Sequence, residues 1–274
     1  MTWHAVRVWP TDDRRAAVLD TLVSFGSTGI QDDGASLLTY LSRDIDVSAL
    51  RAQLGDTRVD ISDFDDQGWQ TQWQGTVVAH TVGAITVSPP WLADGGRGLQ
   101  VVIDPGMAFG TGEHATTRGV LGLMQAIIRP GDVVADLGAG SAILAIAAAL
   151  LGASRVAAIE MDGEAIGNAE ENVARNGVGD RVHVIHGDAT VLLPLLAPVR
   201  VVLANIISSV LVELLPTIAA ALTVDGAAIL SGILVAERDH MLTVLAAGGW
   251  RITEEHAEGE WWSVAVRPQV RSSA

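Results

Sequence analysis

The sequence predicts an α/β protein: a doubly wound, Rossmann-like sheet with an antiparallel last strand, preceded by a small α+β module. Three observations carry this reading. From Leu99 onward, strand-length apolar runs alternate with helical stretches, as in a parallel sheet with helices on both faces. Several of the runs are apolar without interruption, which suits strands covered on both sides. The chain then closes on two strands with no helix between them, residues 250–256 and 261–266.

The elements follow in order. Residues 3–8 read as a strand, and Asp12 opens a helical stretch in which Val18, Leu19, Leu22 and Phe25 recur at helical spacing until Gly26 and Gly29 stop it. A strand at 36–40, a helix at 47–54 and a strand at 58–64 complete a ferredoxin-like module over 1–64. Between 65 and 98 the composition changes, and Trp69, Trp73 and Trp91 stand among Gln, Gly and Pro. This stretch is expected to connect two domains and to pack on both through its indoles. In the region 99–274 the predicted elements are a strand at 100–103, a helix at 116–128, a strand at 133–137, a helix after Gly140, a strand at 155–159 and a helix at 163–176. Strands at 182–186 and 199–204, a helix at 211–222, a strand at 227–231, a helix at 236–247 and the two closing strands follow.

Composition narrows the function classes. The 274 residues accommodate one large or two modest domains, and 49% apolar content excludes a disordered chain. With 17 basic against 32 acidic residues the formal charge is −15. Such a surface favours solubility or a basic partner and argues against direct binding to nucleic acid or anionic membrane. Every basic residue is arginine, and there is no cysteine, so disulfide and thiolate chemistry are excluded. The first ten residues lack the basic flank and apolar core of a signal peptide, and no apolar run approaches the roughly 20 residues of a membrane helix. A soluble cytoplasmic protein is expected.

The chemistry concentrates at Asp136-Leu137-Gly138-Ala139-Gly140-Ser141-Ala142, where an apolar strand runs into an Ala/Ile/Leu helix, and at Glu160, which ends the next apolar run. A glycine pair lets backbone approach a ligand without Cβ obstruction, the helix start offers N–H groups, and an acid on the neighbouring strand can hold both ribose hydroxyls. A dinucleotide fingerprint requires glycine five residues after the first, and that place is Ile143. With the pyrophosphate signature missing, the stretch points to S-adenosylmethionine rather than to a nicotinamide or flavin. The closing strand pair agrees, being common in methyltransferases and unusual in dehydrogenases. Asp188, after the strand at 182–186, suits either the adenine amine or a helix cap. None of the histidines shows metal-ligand spacing, so no metal is expected; His114 is expected to order the Gly-rich loop or cap the helix that follows.

The stretch Asp104-Pro105-Gly106-Met107-Ala108-Phe109-Gly110-Thr111-Gly112-Glu113-His114-Ala115-Thr116-Thr117 resembles the signature of the ribosomal protein L11 methyltransferase family, the PrmA type. So do Asn205-Ile206 after their strand, Leu230-Ser231-Gly232-Ile233-Leu234, and Glu258-Gly259-Glu260-Trp261. The resemblance covers residues 65–268. It implies a class I S-adenosylmethionine-dependent methyltransferase that modifies lysine amines of ribosomal protein L11, with the N-terminal amine as a further candidate. Thr117, Gly138, Glu160 and Asn205 match the family's cofactor-binding positions, with Thr111 and Gly140 in the same loops. Asn205 is also the expected catalytic side chain, its amide facing both the methionyl part and the incoming amine. Residues 1–64 would hold the protein substrate, 65–98 link the domains, and 99–274 form the methyltransferase domain of a monomer. Met107 and Phe109 could cover the cofactor or pack on the sheet. Two positions depart from the family: Ala142 stands where glycine is usual and Glu160 where aspartate is usual. Alternatives are a lysine methyltransferase for another protein, such as an electron-transfer flavoprotein subunit, a cofactor-binding module without catalysis, and an oxidoreductase.

Overall fold

The computed structural model describes residues 3–11, 14–27, 30–32, 35–64, 78–93, 98–104 and 114–269. The chain divides into two compact units, Met1–Val77 and Val78–Ala274. No helix among the described residues is long and apolar enough to cross a membrane.

The first unit runs β1 (Trp3–Trp9), α1 (Arg15–Ser24), β2 (Ile30–Asp32), β3 (Leu37–Ser42), α2 (Val47–Leu54) and β4 (Arg58–Phe64). Its sheet has the order β2-β3-β1-β4 with every pair antiparallel, which is the ferredoxin-like arrangement. Alternate residues of the strands, Val6 and Val8 on β1 and Leu37 and Leu41 on β3, meet Val18 and Leu22 of α1 and Leu50 and Leu54 of α2. α2 begins where Asp46 accepts hydrogen bonds from the Ser48 and Ala49 amides, two of the N–H groups a helix start leaves unpaired. The short β2 was not anticipated, because three residues give no readable alternation.

The second unit opens with β5 (His80–Val82), β6 (Ile85–Ser88) and β7 (Leu99–Val102), a three-stranded sheet in that order. Composition placed residues 65–98 in a linker, of which 78–93 and Gly98 are described. Instead, Ile85, Val87 and Val101 are buried in the core of this unit, so the segment belongs to it. Trp69 and Trp73 lie outside the described residues, as does the expected interdomain packing.

The main body comprises α3 (Ala115–Ile127), β8 (Val133–Leu137), α4 (Ile143–Leu150), β9 (Arg155–Glu160), α5 (Gly163–Arg175), β10 (Val182–His186), α6 (Ala189–Leu196), β11 (Val199–Asn205), α7 (Ser208–Ala221), β12 (Leu222–Leu234), α8 (Arg238–Ala247), β13 (Trp250–Glu258) and β14 (Trp261–Pro268). The seven strands lie in the order β10-β9-β8-β11-β12-β14-β13. The first five are parallel, and β14 and β13 add antiparallel. One face of the sheet, with Val134, Val156, Val201 and Ile229, packs on α3, α4 and α5. The other, with Ala135, Val202, Leu230 and Trp262, packs on α6, α7 and α8. From β8 the chain winds outward to β10 and then returns to β11, so strand order reverses between β8 and β11. Crevices of this kind, at the carboxyl ends of the strands, are where open α/β sheets bind ligands.

Candidate functional site

A cavity of about 470 Å³ opens at that reversal, within the range of sites for a molecule of nucleoside size. Its walls come from the carboxyl ends of β8, β9, β10 and β11 and from the first turns of α6 and α7. The floor is the β8–α4 turn. Gly138 takes φ +69°, and a Cβ there would sit 2.5 Å from Ile206 Cγ2, so only glycine lets this strand end lie open beneath a ligand. Ala142 closes the turn as the helix cap in the left-handed region, φ 63° and ψ 17°, with no side-chain hydrogen bond to the helix. The cap comes from the strand instead: Asp136 Oδ2 accepts from the Ala145 amide at 3.0 Å. Burial pushes the Asp136 carboxyl up to about 7, the Ala145 bond opposes this, and the charge on Glu160 adds to it.

Glu160 ends β9 with both oxygens anchored. Oε2 accepts from the Gly140 amide and Oε1 from the Asp162 amide, each at 2.8 Å. The carboxylate therefore bridges the glycine turn to the β9–α5 turn, and its remaining lone pairs face the cavity that it lines. The longer reach of glutamate spans this gap. Asp188 caps the following helix: Oδ1 accepts from the Thr190 amide and hydroxyl at 2.8 and 2.7 Å, and the residue also lines the cavity. These bonds hold its carboxyl below the ordinary range, the hydroxyl contributing most.

Asn205 closes β11 beside Ser231 of β12 and reaches the cavity wall. Its Nδ2 donates to the Thr117 hydroxyl at 3.4 Å. Thr117 itself is fully buried and stands behind the wall, while Thr116, one step earlier on α3, lines it. Gly140 likewise acts from behind, through Glu160. Thr111, Met107 and Phe109 lie outside the described residues. The structure thus brings Gly138, Glu160, Asp188 and Asn205 to one cavity, with Thr117 and Gly140 supporting two of them.

Sequence reasoning passed over several wall residues. Met161 and Ile207 are exposed apolar side chains on the cavity wall, and Glu213 adds a third carboxylate. His114 and Trp261 also line it, their rings edge to face with centroids 4.9 Å apart. His114 caps α3 by accepting the Thr116 amide on Nδ1 at 3.4 Å. The signal for Trp261 was available: two consecutive tryptophans on a strand point to opposite faces, so when one is core the other is not.

Comparison with known proteins decides between the readings. Residues 36–269 match the model of the family described as ribosomal protein L11 methyltransferase (PrmA). The chain belongs to that family. It is 40% identical over 204 residues to the ribosomal protein L11 methyltransferase of Synechococcus sp., covering 73% of this chain and 67% of the relative. The counterpart from Streptococcus pyogenes serotype M6 is 32% identical over 257 residues, 93% of this chain and 80% of its own. Among solved structures, a ribosomal protein L11 methylase from Lactobacillus delbrueckii subsp. bulgaricus superposes with a TM-score of 0.63 at 30% identity, covering 70% of this chain and all of that one.

As a member of the L11 methyltransferase family, the chain is an enzyme that takes its methyl group from S-adenosylmethionine, and the residues present fit that molecule. Gly138 lines the cavity at φ +69°, and a Cβ there would collide with Ile206, a neighbouring wall residue. Glu160 presents fixed acceptors to a ribose diol, and Met161 with Ile207 supplies apolar surface for a purine. The cavity wall carries three carboxylates and, among the described residues, no arginine, which suits a cofactor of net positive charge.

Proposed function

We propose that the enzyme methylates amino nitrogens of ribosomal protein L11, chiefly lysine side chains, at the Asn205 end of the cavity. The observation that carries this reading is the pairing of Asn205 with buried Thr117. With Nδ2 held by the Thr117 hydroxyl, the amide plane is fixed and its oxygen is left as an acceptor on the cavity side. An acceptor there takes a hydrogen from a neutral amine and aims the lone pair, and it offers nothing to a hydroxyl-free carbon nucleophile.

S-adenosylmethionine supplies the activated methyl carbon, so the protein contributes orientation and desolvation. Glu160 and Gly138 hold the nucleoside end and Asp188 faces the adenine amine. An alkylammonium of ordinary pKa near 10.4 must shed its proton before attack, and the apolar walls at Ile206 and Leu214 disfavour the charged form. Residues 1–64 carry the docking surface for the basic protein substrate. The fixed positions of Glu160 and of the α4 cap, despite the two departures from the family pattern, support catalysis over a binding-only role.

Incubating the enzyme with L11 and labelled cofactor, followed by peptide mass spectrometry, tests the proposal. Methylated lysines are expected. Cofactor binding without methyl transfer to L11, or transfer to another lysate protein instead, overturns it. Asn205→Ala is expected to lower kcat by about 100-fold, the effect of misplacing a nucleophile by about 1 Å, a larger loss than the one in cofactor affinity that follows from removing its contact with the methionyl part.

A further inference from the structure

Trp261 starts β14, next to Trp262, and the strand period sends the two indoles to opposite faces. Trp262 is buried among α7 and α8 side chains. Trp261 turns the other way, onto the cavity, where it meets His114 at the start of α3.

The surroundings hold this indole in place. Arg118, one turn beyond His114, grips Glu258 through both carboxylate oxygens, with Nε at 3.2 Å from each and Nη2 at 2.6 Å from Oε1. The hairpin end is tied again where the Val235 amide donates to the Glu260 carbonyl at 2.8 Å. Below the pair, the Ser231 and Ser263 hydroxyls bond at 2.7 Å and Ser231 donates to the Thr116 carbonyl at 3.1 Å. His114 Nδ1 is held by the Thr116 amide at 3.4 Å and the Thr116 hydroxyl at 2.7 Å, which fixes the imidazole against the indole. A braced indole that lines the same cavity as Asn205, with three carboxylates and no arginine among the described lining residues, has the chemistry of a cation site.

We propose that Trp261, backed by His114, is a specificity-determining wall that receives the substrate nitrogen as an alkylammonium ion before it loses its proton to solvent water and passes as the neutral amine to Asn205. The proposal rests on the amine-methylating reading above. The indole face attracts the charge while the apolar ring accommodates the methylenes, and the same face accepts a nitrogen that already carries methyl groups. Trp261 is therefore expected to act on KM for the amine and not on the cofactor.

The test compares Trp261→Phe with Trp261→Leu, both retaining apolar bulk, on L11 and on a short lysine peptide. Trp261→Leu is expected to raise KM for the peptide about tenfold, the size of a desolvated cation–π contact, with cofactor Kd unchanged by calorimetry. Trp261→Phe should restore most of the loss. Choline should compete with the peptide in the wild type, whereas its uncharged isostere 3,3-dimethylbutanol should not. Equal KM for Phe, Leu and wild type, equal competition by choline and its isostere, or a change confined to cofactor Kd each overturns the proposal. Failure of the wild type to methylate any amine would overturn the functional reading instead, and the two results are distinct.

Discussion

At the residue scale, the cofactor turn shows how opposing terms settle. An alanine in the left-handed region costs roughly 1–2 kcal/mol. Against this, the Ala142 methyl is fully buried in the sheet–helix core, worth about 0.8 kcal/mol, and alanine restricts the unfolded chain more than glycine by about 0.4–1 kcal/mol. The terms nearly cancel, which explains how Ala142 stands where the family usually has glycine. Asp136 beneath it is less balanced. Its Oδ1 is buried without a hydrogen-bond partner, and its carboxyl is raised from 3.8 to about 7 by burial and by Glu160 against the pull of Ala145. A carboxyl raised on folding stabilises most when protonated, so its contribution is whole below about pH 4 and lost as pH climbs through 7. Asp136→Asn should flatten stability between about pH 4 and 7, measured as the urea midpoint across that range. Parallel pH slopes for the variant and wild type would show that Asp136 does not set them. Strand-end residues such as Gly138, Glu160 and Asn205 were legible in the sequence because a strand's end fixes where they point. Thr117 was named from the family resemblance, but its burial behind the wall was not legible, since one step along a helix turns a side chain by about 100°, and here that step separates the wall residue Thr116 from its buried neighbour.

At the element scale, side-chain amides fasten the strand leading into the Gly-rich segment. Asn176 pairs with both backbone groups of Val102, at 2.8 and 2.7 Å, and Gln125 does the equivalent for the β5–β6 turn through the Ala84 amide and Val82 carbonyl. Asn172, fully buried on α5, accepts from the Asp104 amide at 2.9 Å and donates to the Ser141 carbonyl at 3.2 Å. One side chain therefore couples the entry to residues 105–113 with the floor of the cofactor cavity. Asn172→Ala leaves a buried donor and a buried acceptor unmatched and should cost about 2–3 kcal/mol; cofactor affinity should fall with it, about tenfold, because both loops loosen. Denaturation and calorimetric titration of the same preparation check this, and a variant that loses stability while binding the cofactor normally would uncouple the loops. The stretch 65–98 read as a linker because the strands it contains, β5 and β6, are only three and four residues long and stand among Gln, Gly and Pro. α6 was missed for a related reason. Pro194 lies inside it, and proline ordinarily argues against a helix, yet the Asp188 cap and the buried Leu193 suffice for two turns.

At the scale of the whole molecule, the doubly wound sheet and its antiparallel close were legible because most parallel strands announce themselves by an apolar run and most crossovers by a helix, whereas the order β10-β9-β8-β11-β12-β14-β13 came only with the structure. The division of the chain was legible only coarsely. Each unit has its own core: Val6, Leu22, Leu41 and Leu54 in the first share no cluster with the two layers of the second. Every described residue of the cofactor cavity belongs to the second unit. If the first unit serves recognition of a protein and the second serves chemistry, the two functions separate on cutting the chain before Val78. The fragment 78–274 is expected to fold, to bind S-adenosylmethionine within about twofold of the full chain, and to methylate a short lysine peptide at a comparable rate, because no described cavity residue is lost. Its KM for intact L11 should rise by at least about tenfold, the loss of a second contact surface acting at high effective concentration. Part of that loss is electrostatic. A chain of net charge −15 attracts a basic partner over a distance that salt shortens, to about 10 Å at 0.1 M. The full enzyme's KM for L11 should therefore climb with ionic strength more steeply than its KM for the peptide. A fragment that methylates intact L11 as efficiently as the full chain would place recognition in the catalytic unit and remove the role assigned to residues 1–64.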